Sequence, residues 1–435
     1  MLKAHVVHGG GHGYYLEGRE RGTDLEAPGV WTGPASVVLG LTGEVDGQAF
    51  AALMEGRHPV TGDRLRRTVP NAVEAVDLTF CAPKSVSLLH ALAPAEVAGA
   101  AGAGHRRAVQ DATGYLSRHG IGVRRAAGGA VRFLPSTGMV AGAFTHQMSR
   151  ALDPHLHTHV VAANVARGPD GRWSAVDGRR LFVHLQSAGA VYHASLRLDL
   201  TRHLGVAWEV RPSGFGDVVG VDPVLRRLYS QRTAAIDEWV TTRAGDRGVG
   251  RRAVSAATRP EKDLSVSLGE MRQAWRDRAA DVGLDLGELH RVVGRGRAHH
   301  PPWPPGGPDP GRLATRLETD RRSGAGLARR DLVAEVAASA IGGADAVAIE
   351  EVVDRIVAAV EPDRTLTRAR EPRWPTAAVA DLARRHGPEL LPDPGPAARY
   401  RGPAPAREPG LDRDPVRGRD PRPDRDLRRG PGLGW

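Results

Sequence analysis

His146, His157 and His159 are the residues whose types and spacing most directly imply chemistry. They fall in GMVAGAFTHQMSRALDPHLHTHVVAANV (138–165), where residues 139–146 and 156–165 both have the composition of buried strands and the connection between them contains Asp153-Pro154. Residues two apart on a strand point to the same side. His157 and His159 therefore share a face, with Cα atoms ~6.6 Å apart, close enough for two imidazoles to hold one ion. His155 has the same parity but is ~13 Å from His159 on a regular strand, too far for one ion held by bonds of ~2.1 Å. The third ligand is expected from the neighbouring strand, and His146 is placed to supply it. One histidine on a core strand is ordinarily structural; three converging from a hairpin predict a bound cation. Three imidazoles without a thiolate suit Mn, Ni, Co or Zn by ligand type, with Mg an unusual guest for an all-nitrogen set.

Two further groups could act beside such an ion. In VDLTFCAPKSVSLLHAL (76–92), Val76, Leu78 and Phe80 alternate with Asp77, Thr79 and Cys81, which predicts a strand with two different faces. Ala82-Pro83-Lys84 breaks it, and Ser85 is expected to cap a helix through Leu88, Leu89 and Leu92. Asp77 then sits mid-strand, where an unpaired carboxylate is costly to bury. A partner arginine or an exposed face would answer that cost as well as a catalytic role would. Tyr14 and Tyr15 follow the flexible stretch His8-Gly9-Gly10-Gly11-His12. Alone, such a pair reads as two aromatics anchoring an N-terminal strand. A phenol ionises at a pH of about 10, so it attacks only with a base at hand and an activated electrophile. A cation on three neutral imidazoles keeps coordination sites open for that electrophile.

The elements that must position these groups lie in a chain of 435 residues, long enough for two or three domains, with an apolar share of 41% that supports a real core. Residues 1 to about 293 carry mixed strand and helix signals. The stretch 294–311, GRGRAHHPPWPPGGPDPG, has the Pro and Gly content of a linker. Residues 312–385 show helical periodicity through Leu332, Val333, Val336 and Ala337, then Ile349, Val352, Val353 and Ile356, and predict a small helical module. The remainder, 386–435, is Pro- and Arg-rich and too poor in large apolar residues to order itself.

Net charge is +10, which favours a polyanionic partner. Only Lys3, Lys84 and Lys262 among the 60 basic residues are lysines, and arginine forks suit phosphate. Cys81 is the single cysteine, so neither an internal disulfide nor a Cys-based zinc site can form. The N-terminus lacks an apolar stretch of signal-peptide length, and no run approaches the ~20 apolar residues of a membrane helix. A cytoplasmic protein without membrane insertion is expected.

In this order and spacing, the segments resemble the MobF-type conjugative relaxases of the HUH endonuclease superfamily. The resemblance covers roughly residues 10–290. It rests on Tyr14-Tyr15, Trp31-Thr32-Gly33, Leu39 to Asp46, Gly56 with Pro59 and Gly62, Asp77 to Phe80 with Lys84 to Ser87, and Ser149-Arg150 through Asp153-Pro154 to His157-Thr158-His159. It implies an α+β fold, a central, mainly antiparallel sheet flanked by helices, with a helical DNA clamp after about residue 190. It implies Tyr14 as nucleophile with Tyr15 the near alternative, Asp77 as the assisting acid group, and His146, His157 and His159 on a divalent cation, Mg or Mn by family habit. The reaction implied is site-specific nicking and rejoining of one DNA strand at a plasmid transfer origin through a 5′-phosphotyrosyl intermediate. Partners implied are single-stranded origin DNA, relaxosome accessory proteins and a coupling protein.

Two features depart from the family pattern. Where many relatives have a second tyrosine pair, this chain reads Gly18-Arg19-Glu20-Arg21-Gly22. No G-x-x-x-x-G-K-[ST] phosphate loop occurs in these 435 residues, so a helicase motor is not expected within them. Three rival functions share some of the signals. A rolling-circle replication initiator would use the same active site at a different origin. A three-histidine metallohydrolase would not need Tyr14, and a non-catalytic DNA-binding remnant would nick nothing.

Overall fold

The computed structural model describes residues 2–16, 28–67, 69–211, 213–243, 267–295, 310–319, 326–360 and 372–386. The tail from 387 onward and most of the expected linker, 296–309, lie outside them.

Period-two sequence builds one sheet. Its strands are β1 (Leu2–His8), β2 (Val30–Thr32), β3 (Val73–Cys81) and, after a separate hairpin of β4 (Gly122–Ala127) and β5 (Ala130–Pro135), β6 (Ala141–Met148) and β7 (Pro154–Ala163). Across the sheet the order is β1-β3-β7-β6-β2, with every neighbour antiparallel. Both hairpin strands begin two residues from where the sequence put their starts. Pro154 opens β7, the strand position that loses no ladder bond to a missing N–H.

Alternation sorts the two faces. Leu78, Phe80, Leu156 and Val160 point into the larger core, covered by α3 (Lys84–Leu92), α4 (Ala95–His119) and, further along the chain, α5 (Leu185–Leu204). The opposite face packs Val7, Ala75, Phe144 and Val161 against α2 (Gly47–Met54), whose Phe50, Leu53 and Met54 complete a smaller core. Gly33 closes the turn between β2 and α1 (Pro34–Val38) at φ +91°; a Cβ there would sit 2.3 Å from the Met139 carbonyl. The fold is thus the α+β class expected, an antiparallel sheet flanked by helices.

Ser85 departs from expectation. It does not cap α3; Pro83 occupies that position with no side-chain cap. The Ser85 hydroxyl instead donates to Asp217 Oδ1 at 2.9 Å and accepts from Val218 N at 3.0 Å, fastening the antiparallel pair Trp208–Val210 and Gly216–Val218 to the start of the helix.

Helices follow α5: α6 (Gln231–Arg243), α7 (Leu268–Asp281), α8 (Pro310–Thr319), α9 (Arg329–Ser339), α10 (Ala346–Ala359) and α11 (Thr376–His386). The described residues between 312 and 385 lie mostly in helices, and their buried apolar side chains join the larger core. Helix α9 lies on α5 through a buried cation. Arg197, 1% exposed, donates to the carbonyls of Ala337 and Ala340 at 2.9 and 2.8 Å, of Ile341 at 3.1 Å and of Gly214 at 2.8 Å. A guanidinium on the last carbonyls of a helix is well matched to the negative end of its dipole. Gly343 follows at φ +92°, so close that a Cβ would meet Leu198 N at 2.0 Å.

Candidate active site

Register alone brings the three histidines together. His146 of β6 pairs with His157 of β7, and His159, two residues on, pairs with Thr79 of β3. Each histidine offers one ring nitrogen, and the three nitrogens lie within 4.8 Å of one another. The rings form a nearly equilateral triangle, with centroids 5.1, 5.2 and 5.2 Å apart. Among the described residues this is the one group of three or more His, Cys, Asp or Glu side chains that could hold a metal.

Hydrogen bonds fix which nitrogens face inward. His157 Nδ1 is 2.8 Å from the His155 carbonyl, which can only accept, so Nδ1 carries the proton. His159 Nδ1 lies 2.8 and 2.9 Å from the two Asp77 carboxylate oxygens, with the same consequence. In both rings Nε2 is the nitrogen left for a metal, the arrangement by which outer partners orient metal-binding imidazoles. Burial, then the charges of His155, His146 and His159, push His157 well below the ordinary histidine range and hold it neutral, the form a cation needs. His155 is not in the triangle; its ring stacks on His157 at 4.7 Å and its backbone carbonyl does the orienting.

The tyrosines sit on a single turn of tight helix, Gly11–Tyr15. Glu74, at the near end of β3, anchors the approach to that turn by accepting from Gly10 N at 2.9 Å and by pairing with His12 Nδ1 at 3.1 Å. Tyr15 donates its hydroxyl to Asp77 Oδ2 at 2.9 Å, and its ring lies 5.7 Å from both Phe144 and His159. Tyr14 meets Tyr15 edge-on at 5.2 Å, and its hydroxyl oxygen accepts from Arg150 Nη2 at 2.9 Å. Asp77, 4% exposed, is thus a buried carboxylate answered by a histidine and a phenol, not by an arginine.

The structure brings His146, His157, His159, Asp77, Tyr14 and Tyr15 into one cluster. Sequence reasoning missed Glu74 and the contact of Arg150 with Tyr14, because both pair residues more than sixty positions apart and neither has a distinctive spacing. Arg107 binds Asp199, Arg124 binds Asp177 and Arg125 binds Asp170. Trp208 is buried, and its ring N–H donates to Thr201. Tyr115, Tyr192 and Tyr229 are fully buried, so no strand of DNA can reach their hydroxyls.

A five-stranded antiparallel sheet with a histidine triangle beside an N-terminal tyrosine pair defines a relaxase domain. Residues 2–282 match the TrwC relaxase family model, and the chain belongs to that family. It is 31% identical over 300 residues to the multifunctional conjugation protein TraI of Escherichia coli, and 29% identical over 299 residues to that of strain K12. The match takes in 65% of this chain but only 16% of the TraI length. The metal-bound structure of the conjugative relaxase TrwC in complex with OriT DNA is similar at 31% identity and a TM-score of 0.59, with 66% of this chain and all of that one covered. A TrwC complex with a 27-mer carrying the recognition hairpin and cleavage site aligns at 29% identity and a TM-score of 0.58. No helix among the described residues is long and apolar enough to cross a membrane.

Proposed function

We propose that this chain is a conjugative relaxase that nicks and rejoins one DNA strand at a plasmid transfer origin. The observation that carries the reading is the histidine triangle within reach of an N-terminal tyrosine pair. A bound divalent cation on His146, His157 and His159 would polarise a non-bridging oxygen of the scissile phosphate and offset the charge that builds on it. The donor set fits one: three imidazoles, two of them held by hydrogen bonds at Nδ1 so that Nε2 is the nitrogen left for a metal. Mn or Mg is the proposed ion, with Zn, Ni or Co compatible with the same nitrogens.

Tyr14 is the proposed nucleophile. Its oxygen accepts from Arg150, and a guanidinium beside a phenol oxygen steadies the negative charge that attack requires. Tyr15 is the near alternative. Its hydroxyl is committed to Asp77, so it braces the carboxylate that in turn sets His159. Asp77 is assigned the proton released as the phenol attacks. An O–P bond forms to the tyrosine, the bond to O3′ breaks, and the departing 3′ oxygen takes up a proton from solvent to become a hydroxyl. The phosphodiester energy stays in the phosphotyrosine, so the step reverses without a nucleotide cofactor.

In this reading residues 1–293 perform the strand transfer, 294–311 link, 312–385 support, and 386–435 form a tail. The helices from α5 onward clamp the DNA, the protein works in the cytoplasm, and accessory and coupling proteins join it at the origin. The test tiles the replicon that encodes the chain as single-stranded oligonucleotides and incubates each with protein and Mn. One tile should give an adduct that survives denaturant, with the modified peptide carrying Tyr14. Adducts on no tile, or an unchanged yield from Tyr14→Phe and Tyr15→Phe together, would refute the proposal.

A further inference from the structure

The β6–β7 connection, residues 149–153, carries Arg150 to the Tyr14 hydroxyl, yet it is held from the far side. Three residues of α7, spaced every third position and so along one side of the helix, grip this hairpin in order. Arg272 Nη2 donates to Gln147 Oε1 at 3.4 Å, Trp275 Nε1 donates to the Leu152 carbonyl at 2.7 Å, and Arg278 Nη1 donates to Asp153 Oδ1 at 3.2 Å. Helix α6 takes hold of the same turn at its first residue: Gln231 donates its backbone N–H to Asp153 Oδ2 and its side-chain amide to Asp153 Oδ1, both at 2.9 Å. Asp153 is 1% exposed, so its carboxylate is answered by these two helices. Buried Tyr229 completes the brace, its hydroxyl donating to the Trp275 carbonyl.

The turn needs such holding. Leu152 adopts φ +56°, a left-handed conformation that a leucine rarely takes. Within the turn, Ser149 Oγ accepts from Ala151 N and Asp153 N, each at 3.2 Å, which orders the loop but leaves the Leu152 carbonyl to Trp275. The two strands that the turn joins deliver His146 and His157, so its conformation bears on both the phenol and the ligand triangle.

We propose that Asp153 and Trp275 are positioning residues: by docking α6 and α7 on the 149–153 turn they hold Arg150 on Tyr14. The element expected to grip DNA is thereby wired to the nucleophile. The cleavage consequence rests on the function proposed above; the structural coupling does not.

Two measurements on the full chain test this. The chain has only six tyrosines, so a [13Cζ]tyrosine NMR spectrum is sparse, and Tyr14→Phe assigns the Tyr14 signal. Arg150→Ala should shift that signal. Trp275→Phe, which keeps an aromatic ring and removes the N–H, and Asp153→Asn should shift it in the same direction and add nothing in the Arg150→Ala background. In single-turnover cleavage of the tile that forms an adduct, each variant should lose about 10-fold or more in rate with DNA affinity kept within about twofold, again without adding to Arg150→Ala. A Tyr14 signal unmoved by both variants, or rate losses that multiply with Arg150→Ala, would overturn the proposal. Should the unaltered protein form no adduct on any tile, the functional reading fails and the NMR arm still decides the coupling.

Discussion

The two faces of the central sheet hold histidines in opposite conditions. On the helix-covered face His105 is fully buried, with one ring nitrogen 2.8 Å from Tyr192 Oη and the other 2.8 Å from Thr158 Oγ1, which in turn meets Thr145 Oγ1 at 2.8 Å. Both nitrogens are used inside the protein, and nothing is left for a ligand. On the other face His157 and His159 flank that same Thr158 along β7, and each commits only Nδ1. Packing against the sheet does not separate a structural histidine from a functional one. What separates them is whether the fold uses both nitrogens or leaves one, and whether the unused ones converge.

The largest effects come from exchanging the two conditions. His157→Ala should lower Mn affinity by about 100-fold or more and abolish measurable strand transfer, since it removes a proposed direct ligand, while the unfolding midpoint stays nearly unchanged. His105→Leu should do the reverse. It leaves the Tyr192 hydroxyl without its buried partner and Thr158 with Thr145 alone, at roughly 1–3 kcal/mol for a group left unsatisfied, and Mn affinity is retained. Calorimetric titration and denaturant unfolding on both variants check the pair. The contrast breaks if His157→Ala unfolds the protein or if His105→Leu no longer binds Mn.

A smaller effect follows from pH. Burial pulls His105 down to about 3 from an ordinary 6.5, and it does the same to His184, whose Nδ1 sits 3.0 Å from Tyr115 Oη. The unfolded chain therefore binds these protons at pH values where the folded chain refuses them. Their stabilisation is complete above about 6.5 and declines as pH falls toward 3. At pH 5 each such histidine costs about 2 kcal/mol, from 1.5 pH units at ~1.36 kcal/mol each. Comparing unfolding at pH 7.5 and pH 5, His105→Leu should show a difference smaller by about that amount. An identical slope in the variant would mean that His105 is not held neutral.

What was legible in the sequence was what strand regularity transmits. The parity of His157 and His159, the exclusion of His155 and the choice of His146 needed only period two and one antiparallel neighbour, and the register delivers all three. Asp77 was legible as a carboxylate needing a reason, but its partners come from β7 and from the N-terminal turn, and no local pattern names them. The same limit explains Ser85. A cap is a local inference, and the hydroxyl was claimed by Asp217, 132 residues away. Arg197 is the clearest case of silence: one arginine among many on a helix gives no hint that it reaches the end of α9. Where the partner is set by tertiary packing and not by spacing, sequence supplies the residue type but not its role.

The smallest predicted effect is the sharpest on that comparison, because His155 shares its parity with the two proposed ligands of β7. Its ring stacks on His157 with planes 27° apart, and its carbonyl, not its side chain, receives His157 Nδ1. His155→Ala keeps that carbonyl, so the tautomer of His157 and the inward direction of its Nε2 survive. What is lost is one ring contact, worth about 0.5–1.5 kcal/mol in stability. Mn affinity and cleavage rate should both stay within about threefold of the unaltered protein, against the hundredfold expected for His157→Ala. A loss of the latter size would place the ion one step along the strand, on His155 and His157. The triangle with His146 and His159 would then be a packing arrangement, and the distinction between the two faces would fail where it is most specific.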